Sequence, residues 1–266
     1  MRPPGRMFGV SADGDGPLVL GPGCGDNAGA ALGLGLAAGD VLLSVGTSGV
    51  VAAVSATPTQ DASGAVAGFA DATGRHLPLT ATLNGSRVLD SAAGLLGVDH
   101  DELAELALSA PVGAGGLVYV PYLEGERTPN LPDATASLHG MTLASLTREN
   151  FARAAFEGLL CLLNGGVDAI RGLGVDVDQV TLVGGGARSR ALRQLAPAVL
   201  GVPVRVPPPA EYVALGAARQ AAWVLSGDPE PQAVALPDTE VLRADSTPQV
   251  LDQYHAVADG SVAPAG

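Results

Sequence analysis

Lysine is absent from the 266 residues, and all 14 basic side chains are arginine. That absence removes Schiff-base chemistry and also the lysine-bearing phosphate loop, whose ammonium must reach the β- and γ-phosphates. The arginines are outnumbered by 27 acidic residues, and a formal charge of −13 leaves no broad cationic face for nucleic acid or an anionic membrane surface. No nucleic-acid partner and no membrane partner are expected. Cysteine is nearly missing too. Cys24 and Cys161 lack CxxC spacing, which points to reduced thiols rather than a disulfide framework or a zinc site. His76, His100, His139 and His255 are scattered, so no metal site of the protein's own is expected. No apolar run approaches the ~20 residues needed to span a bilayer. The opening "MRPPGRMFGVSADGDGP" has no apolar core suited to a signal peptide. These absences lead to the expectation of a cytoplasmic protein. Aromatics contribute only 3%, so the core must be built from Ala, Val and Leu.

What is present is an alternation of strand and helix signals. Residues 1–18 are rich in Gly, Pro and Asp and read as a flexible lead-in, with Leu18–Leu20 as a short strand. The Ala/Leu run predicts a helix from Asp26 to Ala38, and "DVLLSVGTSGVVAAV" predicts a hairpin about Gly46–Gly49. Residues 85–108 read as helical with an interruption at "GVDHDE", and "GLVYVPYL" as a buried strand. A long helix starts near Thr147, with Ser145 or Thr147 as its cap. "QVTLVGGGARSRALRQLAPAVLGVPVRVP" predicts a right-handed βαβ unit with Gly201 as the helix stop, and residues 211–226 a further helix. Beyond Gly227 the Pro, Asp and Thr content predicts an extended tail over residues 228–266.

Four places could carry chemistry. Asp26 has two compatible readings. It is suited to cap the Ala-rich helix by accepting orphan amides, and at a turn between small residues it could also serve as a general base toward a substrate hydroxyl. Gly46-Thr47-Ser48-Gly49 is by default a tight turn, yet its amides and hydroxyls could cradle phosphate oxygens. Gly184-Gly185-Gly186-Ala187 lies after a strand and before a helix, where open α/β sheets bind nucleotides, although the GxGxxG form of a dinucleotide site is absent. In "YLEGERTPNLPDATASLHGM", Glu124, Glu126 and Arg127 read as solvated loop charges and His139 as structural.

Five segments in order, "GCGDNAGAALGLG", "GDVLLSVGTSGVV", "PYLEGERTP", "SLHGMTLASLTRENFARAAFEG" and "VTLVGGGARSRALRQLAPAVLGVPV", resemble the FGGY carbohydrate kinases, and within them the xylulokinases, from about Gly21 to Ser226. In the fourth, Leu138, Gly140, Met141, Asn150, Phe151, Ala154, Ala155, Phe156 and Glu157 match the family's second signature. The resemblance implies an α/β chain of actin-like ATPase type, a ribonuclease H-like lobe with βαβ units, from a two-lobe kinase that closes on ATP and sugar. It implies Asp26 as catalytic base and Asn27 as a sugar-binding amide. Gly46, Thr47 and Ser48 would lie on the distal phosphates of ATP, with Gly184, Gly185, Gly186 and Ala187 under the adenosine. Mg²⁺ would enter held mainly through the nucleotide.

By the same resemblance, residues 1–39 are the last piece of an N-terminal lobe, 40–227 are the C-terminal lobe, and 228–266 are the tail. Nothing in the chain resembles the rest of that N-terminal lobe, with its Asp-Gly-Thr phosphate loop. "ATAS" at 134–137 stands where xylulokinases usually carry Ala-Arg-Gly. The expected activity is phosphorylation of D-xylulose to D-xylulose 5-phosphate, incomplete in this chain, with a homodimer or a separate N-terminal lobe chain as partner. The Asp26 helix is expected to be weakly packed without that lobe. The alternatives are a non-catalytic nucleotide-binding lobe or relic, and an unrelated α/β enzyme using a dinucleotide.

Overall fold

The computed structural model describes residues 9–11 and 18–258. Two short strands, β1 (Gly9–Ser11) and β2 (Leu18–Leu20), pair antiparallel and lead to α1 (Asp26–Leu34). The apolar run that follows forms β3 (Asp40–Val45), where Val41, Leu43 and Val45 face one core and Leu42 the other. Burial on both faces is why the run scarcely alternates. From β3 the chain turns into β4 (Gly49–Ala53), then β5 (Ala67–Ala70) and β6 (His76–Thr82), all joined antiparallel in the order β3-β4-β6-β5.

After β6 come α2 (Arg87–Leu96) and α3 (His100–Ser109), then β7 (Val118–Val120) and β8 (Ser137–His139), which make a separate two-stranded sheet. The predicted break between α2 and α3 is real, and Asp99 caps α3 by accepting from the Glu102 amide at 2.8 Å. The long helix α4 (Arg148–Arg171) is capped by Thr147, whose hydroxyl accepts from the Asn150 amide at 3.2 Å. The expected βαβ unit follows as β9 (Gln179–Val183), α5 (Arg190–Leu200) and β10 (Val204–Val206), with Gly201 left-handed at the helix end. Strand β9 lies parallel to β3, and β10 parallel to β9. Helix α6 (Tyr212–Ser226), β11 (Glu240–Leu242) and α7 (Pro248–Ala258) complete the described chain. The sheet of seven strands thus runs β11-β10-β9-β3-β4-β6-β5. Among the described residues no helix is long and apolar enough to cross a membrane.

Three expectations change. Helix α1 stops at Leu34 rather than Ala38, because Gly35 takes a left-handed conformation and closes it. Residues 228–266 are not simply extended, since β11 joins the sheet and α7 buries Val250, Tyr254 and Ala258 in the main core. The last eight residues, 259–266, lie outside the described residues. Most of the lead-in at 1–18 does too, although Gly9–Ser11 within it pairs with β2.

The third change concerns α1, which is well packed here. Residues 28–34 are buried, forming with Leu42, Ala52, Val54, Leu77, Leu79 and Tyr212 a second core on the sheet face opposite α2 to α5. The helix owes this to glycine. A Cβ at Gly33 would collide with the Tyr212 carbonyl, and one at Gly216 with the Gly29 carbonyl, so α1 and α6 touch backbone to backbone. Gly216→Ala should therefore destabilise the fold by about 1–3 kcal/mol or more, overriding the usual helix preference for Ala. Gly94→Ala on α2, where a Cβ meets nothing within 4 Å, should be neutral or stabilising by up to about 1 kcal/mol. Parallel urea melts of the two variants check the contrast.

Candidate active site

The parallel strands β3 and β9 end side by side, with Ser44 opposite Val183. From these carboxyl ends emerge the Gly46–Ser48 turn and the Gly184–Ala187 turn, the position at which α/β sheets place ligand sites. Gly184 has φ +88°, and its backbone sits so close to Val45 that an added Cβ would lie 2.6 Å from the Val45 carbonyl oxygen. The second turn therefore packs against the end of β3, from which the first turn leaves.

Each turn contributes to the lining of a different cleft. One, of about 440 Å³, is lined by Gly25, Asp26, Asn27, Ser48, Val50, Phe69, Leu79, Arg127 and Thr128, among others. The other, of about 1090 Å³, is lined by Gly184, Gly185, Ala187, Arg188, the 206–212 segment and Glu240, among others. Of the residues singled out in the sequence, Asp26, Asn27 and Ser48 share the first cleft, and Gly184, Gly185 and Ala187 share the second. Gly46 and Thr47 stand on the turn between β3 and β4, and Gly186 turns inward against Val45 and Leu192.

Asp26 does not cap its helix. Gly25 occupies the cap position, without a side-chain bond, and Asp26 is the first helical residue. Its Oδ1 accepts from the Asn27 amide at 2.8 Å and from Asn27 Nδ2 at 3.2 Å. The carboxylate is exposed, and among the described residues its Oδ2 receives no hydrogen bond. The positive end of α1 favours a negative charge there.

The GERTP loop is built differently from the solvated segment expected. Arg127 is exposed, as is Glu124, which pairs with Arg87, but Glu126 is 1% exposed. Its Oε1 accepts from the Leu83 amide at 2.6 Å and the Arg127 amide at 2.7 Å. Its Oε2 accepts from Asn84 Nδ2 at 2.9 Å and the Asn84 amide at 3.3 Å. A carboxylate withdrawn from water is tolerated because its lone pairs are filled in this way. Sequence reasoning also passed over the 206–212 segment of the second cleft. There the Tyr212 hydroxyl donates to the Pro208 carbonyl, burial pushes the phenol's pKa up, and Arg193 pairs with Glu240 at 2.6 Å. Among the described residues, no group of three or more His, Cys, Asp or Glu could hold a metal ion.

Removing the Glu126 carboxylate should leave the buried backbone and side-chain amides of Asn84 unpaired. Glu126→Ala is expected to cost about 2–4 kcal/mol of stability, from a penalty of about 1–3 kcal/mol for each orphaned group. Glu124→Ala, exposed and paired at the surface, should cost less than about 1 kcal/mol. Thermal melts of both variants test the difference.

Residues 41–225 match the FGGY family of carbohydrate kinases, C-terminal domain. The chain is similar to the xylulose kinase of Streptomyces coelicolor, 41% identical over 233 residues, covering 85% of this chain and 46% of that protein. To the xylulose kinase of Streptomyces rubiginosus it is 44% identical over 216 residues, covering 80% of this chain and 42% of that protein. The crystal structure of xylulose kinase from Bifidobacterium adolescentis superposes with a TM-score of 0.87 at 55% identity, over 92% of this chain and 49% of that one. The chain thus spans about half the length of the relatives it matches. Its fold is that of the C-terminal, actin-like lobe of these kinases.

Proposed function

The chain belongs to the FGGY family of carbohydrate kinases, and on that premise we propose that it serves ATP-dependent phosphorylation of a sugar hydroxyl, D-xylulose giving D-xylulose 5-phosphate. The observation that carries the reading is that Gly184 packs against Val45, where the Gly46–Ser48 turn leaves β3, while Ser48 shares a cleft with Asp26 and Gly184 and Gly185 line a second, larger one. A nucleotide with its adenosine in the larger cleft would run its phosphates over Gly46, Thr47 and Ser48 toward Asp26. Those backbone amides and hydroxyls suit phosphate oxygens. Mg²⁺ would arrive as part of the nucleotide substrate.

In this reading Asp26 is the base and Asn27 a sugar-binding amide. The sugar oxygen attacks the γ-phosphorus, the new O–P bond forms as the bond to the β,γ-bridging oxygen breaks, and ADP departs with that electron pair. The hydroxyl proton passes to Asp26 Oδ2 and on to water. Support for the role comes from the carboxylate itself, since one oxygen is oriented by Asn27 and the other, among the described residues, receives no hydrogen bond. A cytoplasmic setting, where ATP is supplied, fits the reading. The protein partner would be a second copy of the chain in a homodimer, or a separate N-terminal lobe chain.

The direct test is ³¹P NMR of D-xylulose with Mg·ATP, using the chain alone and the chain joined to the N-terminal portion of the Streptomyces coelicolor relative. Formation of ADP and a sugar phosphate is expected. Nucleotide binding with no sugar phosphate in either form would favour the non-catalytic lobe, and no nucleotide binding would sink the kinase reading. In the active form, Asp26→Ala should lower kcat by about 10²–10⁴, the usual worth of a general base, with ATP affinity kept within about twofold. Unchanged turnover would remove Asp26 from the chemistry.

The nucleotide cleft has its own test. A Cβ at Gly185 meets nothing within 4 Å, so a larger side chain there projects into the cleft and not into the protein. Gly185→Val should leave the melting temperature within a few degrees and abolish ADP binding by calorimetry. Binding equal to that of the unaltered chain would place the nucleotide elsewhere.

A further inference from the structure

Arg127 is the basic residue in the lining of the Asp26 cleft. Among the described residues its guanidinium enters neither an ion pair nor a hydrogen bond. In a protein with nearly twice as many acidic as basic side chains, a cation left unmatched beside a carboxylate-bearing cleft is suited to an anion that arrives from solution.

The backbone beneath it is held with unusual thoroughness. The Arg127 amide donates to the buried Glu126 carboxylate at 2.7 Å. Glu126 and Leu131 exchange backbone bonds at 2.8 and 2.9 Å, and the Gly125 amide donates to the Ala134 carbonyl at 2.9 Å. Through Glu126 the loop is tied to Leu83 and Asn84, and this same segment holds the β3–β4 turn. The Ser86 amide donates to the Gly46 carbonyl at 2.7 Å, the Gly49 amide to Thr82 Oγ1 at 3.0 Å, and the Thr82 hydroxyl to the Asn84 carbonyl at 2.7 Å. One anchor therefore sets the places of both Arg127 and the turn carrying Thr47 and Ser48. Fixed backbone of this kind is what a site needs to hold a side chain in register with a ligand.

We propose that Arg127 binds the terminal phosphate of the nucleotide in the Asp26 cleft, and that Glu126 is the positioning residue that sets it there. This rests on the kinase reading above. An ionised Asp26 repels an incoming polyanion, and a guanidinium on the same cleft wall offsets that repulsion. Its planar fork can donate two parallel N–H bonds to phosphate oxygens, which an ammonium cannot. Arg127 makes and breaks no covalent bond. It meets the charge on the phosphoryl oxygens while the sugar O–P bond forms, the bond to the β,γ-bridging oxygen breaks, and the proton moves to Asp26.

The experiment is calorimetric titration of Mg·ATP and Mg·ADP into the unaltered chain and into Arg127→Met, Arg127→Lys and Glu126→Gln. ADP lacks only the phosphate in question, so the ATP-to-ADP affinity ratio reads the contact, and a general loss of structure would lower both affinities together. Arg127→Met should weaken ATP about tenfold or more, the size of a lost charge-assisted hydrogen bond, and leave ADP within about twofold. Arg127→Lys should fall between. Glu126→Gln turns an amide against amide donors and should lower the ratio as Arg127→Met does; should it fail to fold, the two Arg127 variants decide alone. An ATP-to-ADP ratio in Arg127→Met equal to that of the unaltered chain overturns the proposal and leaves nucleotide binding standing. If the unaltered chain binds neither nucleotide, the kinase reading fails and this inference falls with it.

Discussion

The pairing of β3 with β9 is the constraint on which the rest depends. Both strands are buried, and β3 divides its side chains between two cores, Val41, Leu43 and Val45 toward α2 to α5 and Leu42 toward α1. A register slip of one residue would exchange those sets and expose neither to water, yet it would mismatch every small-to-large contact in both cores. Because the register is fixed, the carboxyl ends of β3 and β9 coincide. The Gly46–Ser48 and Gly184–Ala187 turns then leave the sheet together, with Gly184 against Val45. The shared position of the two turns is a consequence of strand pairing, and the close approach of Gly184 to Val45 further requires that the turn residue carry no Cβ.

Two further devices set the walls. On one side glycine removes side chains so that α1 and α6 meet at their backbones, and Asp26 at the start of α1 lines the same cleft as Ser48. On the other side a buried carboxylate adds to packing as the fastener. Glu126 joins the loops through hydrogen bonds to the backbone of Leu83, Asn84 and Arg127. Hydrogen bonds to backbone are directional, so this fastener fixes orientation as well as proximity.

Much of the fold could be read from local rules. Thr147 caps α4, Gly201 ends α5, and the Gly-Thr-Ser-Gly turn joins β3 to β4, each because a nearby backbone group needs that residue type. The C-terminal segment misled because Pro, Asp and Thr dominate its composition. Val250, Tyr254 and Ala258 at fourfold spacing nonetheless carry a helical stripe, and that stripe is what α7 buries. The end of α1 was misjudged because Ala at 37 and 38 continued the pattern past Gly35.

The candidate site divides along the same line. Asp26, Asn27 and the two glycine turns were legible in the chain because their chemistry lies in residues adjacent to one another, and because five segments in order resemble one family. Arg127 as a wall of the Asp26 cleft, the burial of Glu126 and the 206–212 wall of the second cleft were not. A charged stretch such as Glu-Gly-Glu-Arg looks solvated until something distant supplies donors, and those donors, at Leu83 and Asn84, are brought in only when β6 takes its place in the sheet. Which charge is buried and which is offered to the cleft is decided by contacts between segments far apart along the chain, and hydrogen-bond geometry of that kind leaves no periodic trace in the order of residues.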